Sequence, residues 1–145
     1  MFERHHPPTI LIRVLMCAVA VLIGHSKVYA QEPTTMLVRI SEIEVFSQSL
    51  DGYQRFLGEE AEASVRLEPG VLCIFPSAQR DNPTQIRIVE IYANRDAYNA
   101  HIRSPHFQKY KTSTLEMVKS LRLVEMQAID AKAMPLIFKK MGGQP

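Results

Sequence analysis

Residues 90–110 read "EIYANRDAYNAHIRSPHFQKY". Two histidines (His101, His106), a carboxylate (Glu90), three tyrosines (Tyr92, Tyr98, Tyr110) and Phe107 fall within this one stretch. A histidine changes charge near neutral pH, so it can take a proton from a bound molecule and give it back. On a helix, His101 shares a face with Ala97 and Tyr98. That face includes apolar residues and is expected to look inward, which makes His101 the first candidate for a general base. Its other possible role is structural, as a hydrogen bond to backbone at a helix break. Glu90 has the parity of Ile86, Ile88 and Tyr92 on a strand. If that face meets helices, Glu90 is a buried carboxylate in need of a partner. His101 is one such partner, and a salt bridge to Arg87 or Arg103 is the alternative. Tyr92, Tyr98, Phe107 and Tyr110 either line a pocket or fill a core. His106 follows Ser104-Pro105 in the first turn of a helix, where it either meets a ligand or braces the break. The two histidines lie across a proline break, outside the i, i+4 spacing of a helical ligand pair. No cysteine or clustered carboxylate in the stretch completes a set, so no metal is expected.

These residues need a frame. Residues 36–46, "MLVRISEIEVF", read as a strand. Val38 and Ile40 share a parity, whereas Ile43 and Val45 have the other, which predicts a β-bulge near Ser41 and Glu42. Residues 50–67 take a helical period, with Leu50, Tyr53, Phe56, Leu57, Ala61, Ser64 and Val65 inward and Glu59, Glu60 and Glu62 in water. Glu68-Pro69-Gly70 stops this helix. Residues 71–76 and 85–93 form a hairpin across a turn rich in Asp, Asn and Pro. Asn94 caps a short helix, and Ser104 caps another with Pro105 at its first position. The stripe of that last helix is Phe107, Tyr110, Thr114, Met117, Val118 and Leu121. A fourth strand is expected to start near Leu123, and a tail at 131–145 holds "MPLIF" before flexible residues.

The order β-α-β-β-α-β predicts an α+β, ferredoxin-like antiparallel sheet with helices on one face. Both faces of the second and third strands are apolar. The face without helices therefore requires a cover: the sheet of a second subunit in a two-fold homodimer, or the chain's own "MPLIF".

Residues 1–30 have the order of a secretory leader: Arg4 and Arg13, an apolar run at 14–24, then Val28 and Ala30 before Gln31. The apolar run is shorter than the roughly 20 residues that span a bilayer. Cleavage after Ala30 would give a secreted or periplasmic protein with no stable membrane insertion; the alternative is an uncleaved anchor. Residues 31–35 are a polar lead-in, and 36–130 form one domain. The chain has 17 basic and 15 acidic residues. With Arg4, Arg13, Lys27 and Glu3 in the leader, the remainder is balanced, which argues against nucleic acid as a partner. Cys73 is then the only cysteine left, in an apolar run that suits a small buried hydrophobe.

Pro69-Gly70, Glu90-x-Tyr92, Ala97-x-x-x-His101 and Ser104-Pro105-His106-Phe107 occur together in an order that resembles the antibiotic biosynthesis monooxygenase domain family. The likeness covers roughly residues 36–129. It implies a dimeric α/β barrel with a pocket between sheet and helices in each subunit. It also implies chemistry like that of quinol monooxygenases, without metal or flavin. There a base deprotonates a small phenol or hydroquinone, and the anion passes an electron to dioxygen. The family also contains haem-degrading enzymes, autoinducer-processing enzymes and proteins with no known substrate. A non-catalytic small-molecule-binding barrel and an isomerase or lyase of a small metabolite are thus the other readings. The sequence has no Trp, and the position of the haem-ligating histidine falls near Lys111; both argue against haem degradation.

Overall fold

The computed structural model describes residues 36–142. The leader at 1–30, the lead-in at 31–35 and residues 143–145 lie outside the described residues. The elements are β1 (Leu37–Val45), α1 (Leu50–Leu67), β2 (Val71–Ala78), β3 (Gln85–Tyr92), α2 (Arg95–His101), α3 (Pro105–Thr114), β4 (Val118–Met126) and α4 (Ala133–Gly142). All neighbouring strands are antiparallel, in the order β2-β3-β1-β4. This is the expected ferredoxin-like sheet. Leu37, Ile43, Val45, Val71, Ile74, Ile86, Ile88 and Tyr92 on one sheet face pack against Tyr53, Leu57 and Ala61 of α1.

Several elements differ from the sequence reading. β1 alternates without a break: Leu37, Arg39, Ser41, Ile43 and Val45 are its buried residues. Its pairing with β3 stays in register from Leu37↔Tyr92 to Glu44↔Gln85. No bulge lies at Ser41 and Glu42; the shift in β1 falls between Glu44 and Val45, against β4. The apolar pattern slips because two inward positions are polar, Arg39 and Ser41. In α1, Glu60 is buried and Val65 exposed, the reverse of what their side-chain types suggested. Glu60 follows Leu57 by three residues and precedes Ser64 by four, so helical spacing puts all three on one face. α3 ends at Thr114, a 3-10 turn spans Leu115–Met117, and β4 begins at Val118. Val118 and Leu121 thus belong to a strand, pairing with Val45 and Ile43 of β1. The tail is helical over α4, yet it buries none of its residues, so "MPLIF" is no cover for the sheet.

The caps behave as expected. The Asn94 side chain accepts from Ala97 N–H at 2.8 Å, and Ser104 Oγ accepts from Phe107 N–H at 3.3 Å. Gly70 then fixes where α2 lies. A Cβ at this position would stand 2.5 Å from the Ala97 Cβ, and Ala93 N–H bonds Gly70 O at 2.9 Å. The Pro69-Gly70 and Ala97-x-x-x-His101 motifs are therefore two sides of one close contact, four residues from His101. Gly70→Ala should cost about 1–3 kcal/mol through overpacking, read as a lower urea midpoint. An unchanged midpoint would mean that α2 moves aside freely.

Candidate active site

α1, α2 and α3 lie over the sheet and leave a cavity of about 630 Å³ between themselves and β1, β3 and β4. His101, the last residue of α2, lines it while only 2 % exposed. Its ring packs on Phe107 (centroids 4.8 Å apart) and Tyr92 (5.4 Å). Its Nδ1 is 3.0 Å from Glu68 Oε1. As a carboxylate, Glu68 only accepts, so Nδ1 carries a proton in this contact; in the neutral ring the lone pair is then on Nε2. Nε2 stands 3.6 Å from Glu60 Oε1, which also lines the cavity. The polar contacts of the His101 ring are the carboxyl groups of Glu68 and Glu60, not the backbone bond considered for it.

His106 Nε2 lies 2.5 Å from the same Glu68 oxygen. Glu68 thus accepts from both rings and ties the end of α1 to α2 and α3. Neither Glu68 nor His106 lines the cavity; His106 is joined to His101 through Glu68. The three donor atoms lie within 4.8 Å of one another, spacing that would suit a small cation. The sequence supplied no obvious carboxylate for such a set; Glu68, read as a helix stop, completes it. As the group stands, each of these atoms is already paired with another member, so it is closed by hydrogen bonds.

Glu90 sits on the helix-facing side of β3, as its parity required, but its partners are different. Ser41 Oγ–H donates to one carboxylate oxygen and Tyr92 O–H to the other at 2.9 Å. Neither His101 nor Arg87 nor Arg103 holds it. Tyr92 is fully buried, and burial followed by the nearby Glu90 charge pushes its hydroxyl well above the usual tyrosine range. Tyr53 and Tyr110 share a hydrogen bond of 2.5 Å. Burial raises both, Tyr53 to about 12, so both stay neutral at any working pH. Two hydroxyls sharing one bond leave one proton free to donate into the cavity. Tyr98 lines the cavity beneath the Arg39 guanidinium, 4.2 Å from its ring centroid. Arg39 also donates to Glu125 at 3.1 Å.

Sequence reasoning missed Arg39, Ser41, Tyr53, Glu60 and Glu68 as parts of this site. The signal for the first two was the parity slip in β1. For Tyr53 and Glu60 it was the shared helix face. Glu68 carried no local signal, because its role depends on two histidines far along the chain.

Residues 36–113 match the family model for antibiotic biosynthesis monooxygenase. A solved structure from Bacteroides thetaiotaomicron, named for the same family, is 43% identical, with a TM-score of 0.66; the match covers 66% of this chain and 91% of that one. The chain belongs to the antibiotic biosynthesis monooxygenase family. The matched span runs from β1 to α3 and holds every site residue discussed above except Glu125, which lies on β4. A structure from Lactobacillus acidophilus, named as a monooxygenase, is 27% identical with a TM-score of 0.63; the match covers 66% of this chain and 45% of that one. One from Nitrosomonas europaea, at 20% identity and a TM-score of 0.62, covers 65% of this chain and 99% of that one and shares the fold. No curated protein matches the chain. Among the described residues, no helix is long and apolar enough to cross a membrane.

Proposed function

We propose that this family member is an exported, homodimeric monooxygenase that oxidises a small phenol or hydroquinone with dioxygen, with His101 as the base and no need of metal or flavin. The observation that carries the reading is the setting of His101, a lining residue of the cavity: Nδ1 is engaged by Glu68, and Nε2 faces Glu60, which also lines the cavity. A phenol in the cavity gives its proton to Nε2. The imidazolium that forms lies beside Glu68, which stabilises the new charge as the carboxylate of a His–acid pair does. The phenolate is electron-rich and passes one electron to dioxygen; recombination of the radical pair makes the C–O bond. The free proton of the Tyr53–Tyr110 pair supports a substrate oxygen, and the apolar lining suits an aromatic ring.

Oxygen uptake with a panel of phenols and hydroquinones tests this. Consumption of dioxygen together with a ring-oxygenated product is expected. Saturable binding without any turnover would indicate a binding barrel instead, and conversion without oxygen an isomerase or lyase. Export rests on the leader pattern of residues 1–30. Protein from its host should begin at or within a few residues of Gln31, and a chain retaining Met1 would overturn that part.

A further inference from the structure

Among the buried ionisable groups that the base chemistry leaves unused, Glu60 lies nearest to His101 Nε2. Glu60 is 4% exposed, lines the cavity, and lies 3.6 Å from His101 Nε2. We propose that Glu60 is held as the neutral acid and is the general acid of the reaction, giving a proton to the oxygen that leaves as water. This rests on the oxygenase reading above and deepens it.

Counting protons supports the neutral form. Ser64 Oγ lies 2.6 Å from Glu60 Oε1 and 2.8 Å from the Glu60 carbonyl oxygen. A serine hydroxyl has one proton, and a carbonyl oxygen has none. If Ser64 donates to the carbonyl, the 2.6 Å contact requires a proton on Glu60. A carboxylate there would leave the Ser64–carbonyl contact with no proton between two oxygens. One arrangement gives each of the two oxygen–oxygen contacts its own proton: Glu60 O–H to Ser64 Oγ, and Ser64 O–H to the carbonyl, which also accepts the Ser64 N–H within α1. Among the described residues no lysine or arginine pairs with Glu60. The ionisable groups around it are His101, His106 and Glu90, with the neutral hydroxyls of Tyr53, Tyr92 and Tyr110. Burial pushes its carboxyl up, partly offset by Ser64 and the two histidines, while Glu90 adds to the rise. An acid and a base side by side with opposed proton states is the arrangement that acid–base chemistry at one carbon needs.

The step balances for a phenol with a hydrogen on the ring carbon opposite its hydroxyl. His101 takes the phenol proton, and dioxygen couples to that carbon. The peroxide anion takes the proton back from His101, giving a ring hydroperoxide. The hydrogen on the same carbon then leaves as a proton to His101, and its electron pair forms the C=O bond. The O–O bond breaks, and the departing hydroxide takes the Glu60 proton as water. Phenol plus dioxygen gives quinone plus water. The substrate loses four electrons and dioxygen gains four. The imidazolium then returns its proton to Glu60, and both groups are reset.

Glu60→Gln keeps the shape and removes the acidic proton. With a phenol that the wild type oxidises, the variant should still start oxygen uptake. Its kcat for quinone should fall by roughly 10²–10⁴, with hydroperoxide or free peroxide accumulating in place of water and KM nearly unchanged. Wild-type kcat with one quinone per dioxygen in this variant would overturn the assignment. Infrared spectroscopy of the resting protein needs no substrate. The wild type should show a protonated-carboxyl band at neutral pH that is missing in Glu60→Gln, and absence of that band in the wild type would also overturn it. If no phenol is oxidised by the wild type, the oxygenase reading falls and the acid role falls with it. The infrared result still decides separately whether Glu60 holds a proton.

Discussion

His101→Ala is expected to lower oxygen-dependent turnover by roughly 10²–10⁴, the usual loss on removing a general base. The variant loses the Nε2 lone pair and also the ring that Glu68 holds. Because His101 is 2 % exposed and packed on Phe107 and Tyr92, its removal also costs stability, and the two effects must be separated. The ring's own volume opens directly onto the cavity, so added imidazole can re-enter it. Partial rescue of turnover by imidazole in the folded variant would identify a chemical role, since packing damage alone gives no such dependence. Cys73→Ala is the control. Cys73 lies on β2 opposite Ile91, on the sheet face away from the cavity, and burial raises its thiol pKa. Its loss should move the urea midpoint and leave the rate alone. Wild-type turnover in a folded His101→Ala would return this histidine to a structural role.

The site was legible in the sequence wherever chemistry and local spacing coincided. His101 and Tyr98 follow from helical period, and Glu90 and Tyr92 from strand parity. The caps at Asn94 and Ser104 were legible because capping is a contact over three residues. Partners were not legible, because partnership is set by the tertiary fold. Glu90 is satisfied by Ser41 from the neighbouring strand, through the register that places Ser41 opposite Ile88 and Arg39 opposite Glu90. His101 is satisfied by Glu68, 33 residues earlier. The errors have a common cause. Arg39, Ser41 and Glu60 are polar residues at inward positions, and reading polarity as exposure moved each of them to the wrong side. A cavity inside a core reverses that rule locally, so the breaks in amphipathic pattern mark the site itself. The boundary of β4 failed for a different reason. Phe107, Tyr110, Thr114 and Met117 keep a helical spacing beyond the end of α3, and only the pairing of β4 with β1 shows the strand beginning at Val118.

The second large effect is expected on assembly. On the face away from α1, α2 and α3, cross-strand register lines up Phe75, Val89, Ile40 and Val124 in one row across all four strands. Ile91, Val38 and Met126 form the next row. Phe75 is 61% exposed in the single chain, and α4 has no buried residue of its own. A two-fold partner would bury Phe75 twice, once from each copy. At roughly 1.5–3 kcal/mol for each fully buried side chain, the pair contributes about 3–6 kcal/mol. Phe75→Asp or Phe75→Lys should therefore weaken a dimer by roughly 10²–10⁴-fold. Light scattering should report twice the chain mass for the wild type and a single chain for either variant, with the circular dichroism of the two unchanged. Ile91 is the less informative position. Its pairing with Val38 and Cys73 puts it on the same outer face, but it is already only 8% exposed within one chain, so a charge there threatens the subunit as well as the assembly. The cavity lies on the opposite side of the sheet, so a folded Phe75→Asp monomer that keeps its turnover would show that each subunit carries a complete site. A wild type that runs as a folded monomer at micromolar concentration would remove the face-to-face dimer. The apolar row of Phe75, Val89, Ile40 and Val124 would then have to be covered by something other than a second copy of this chain.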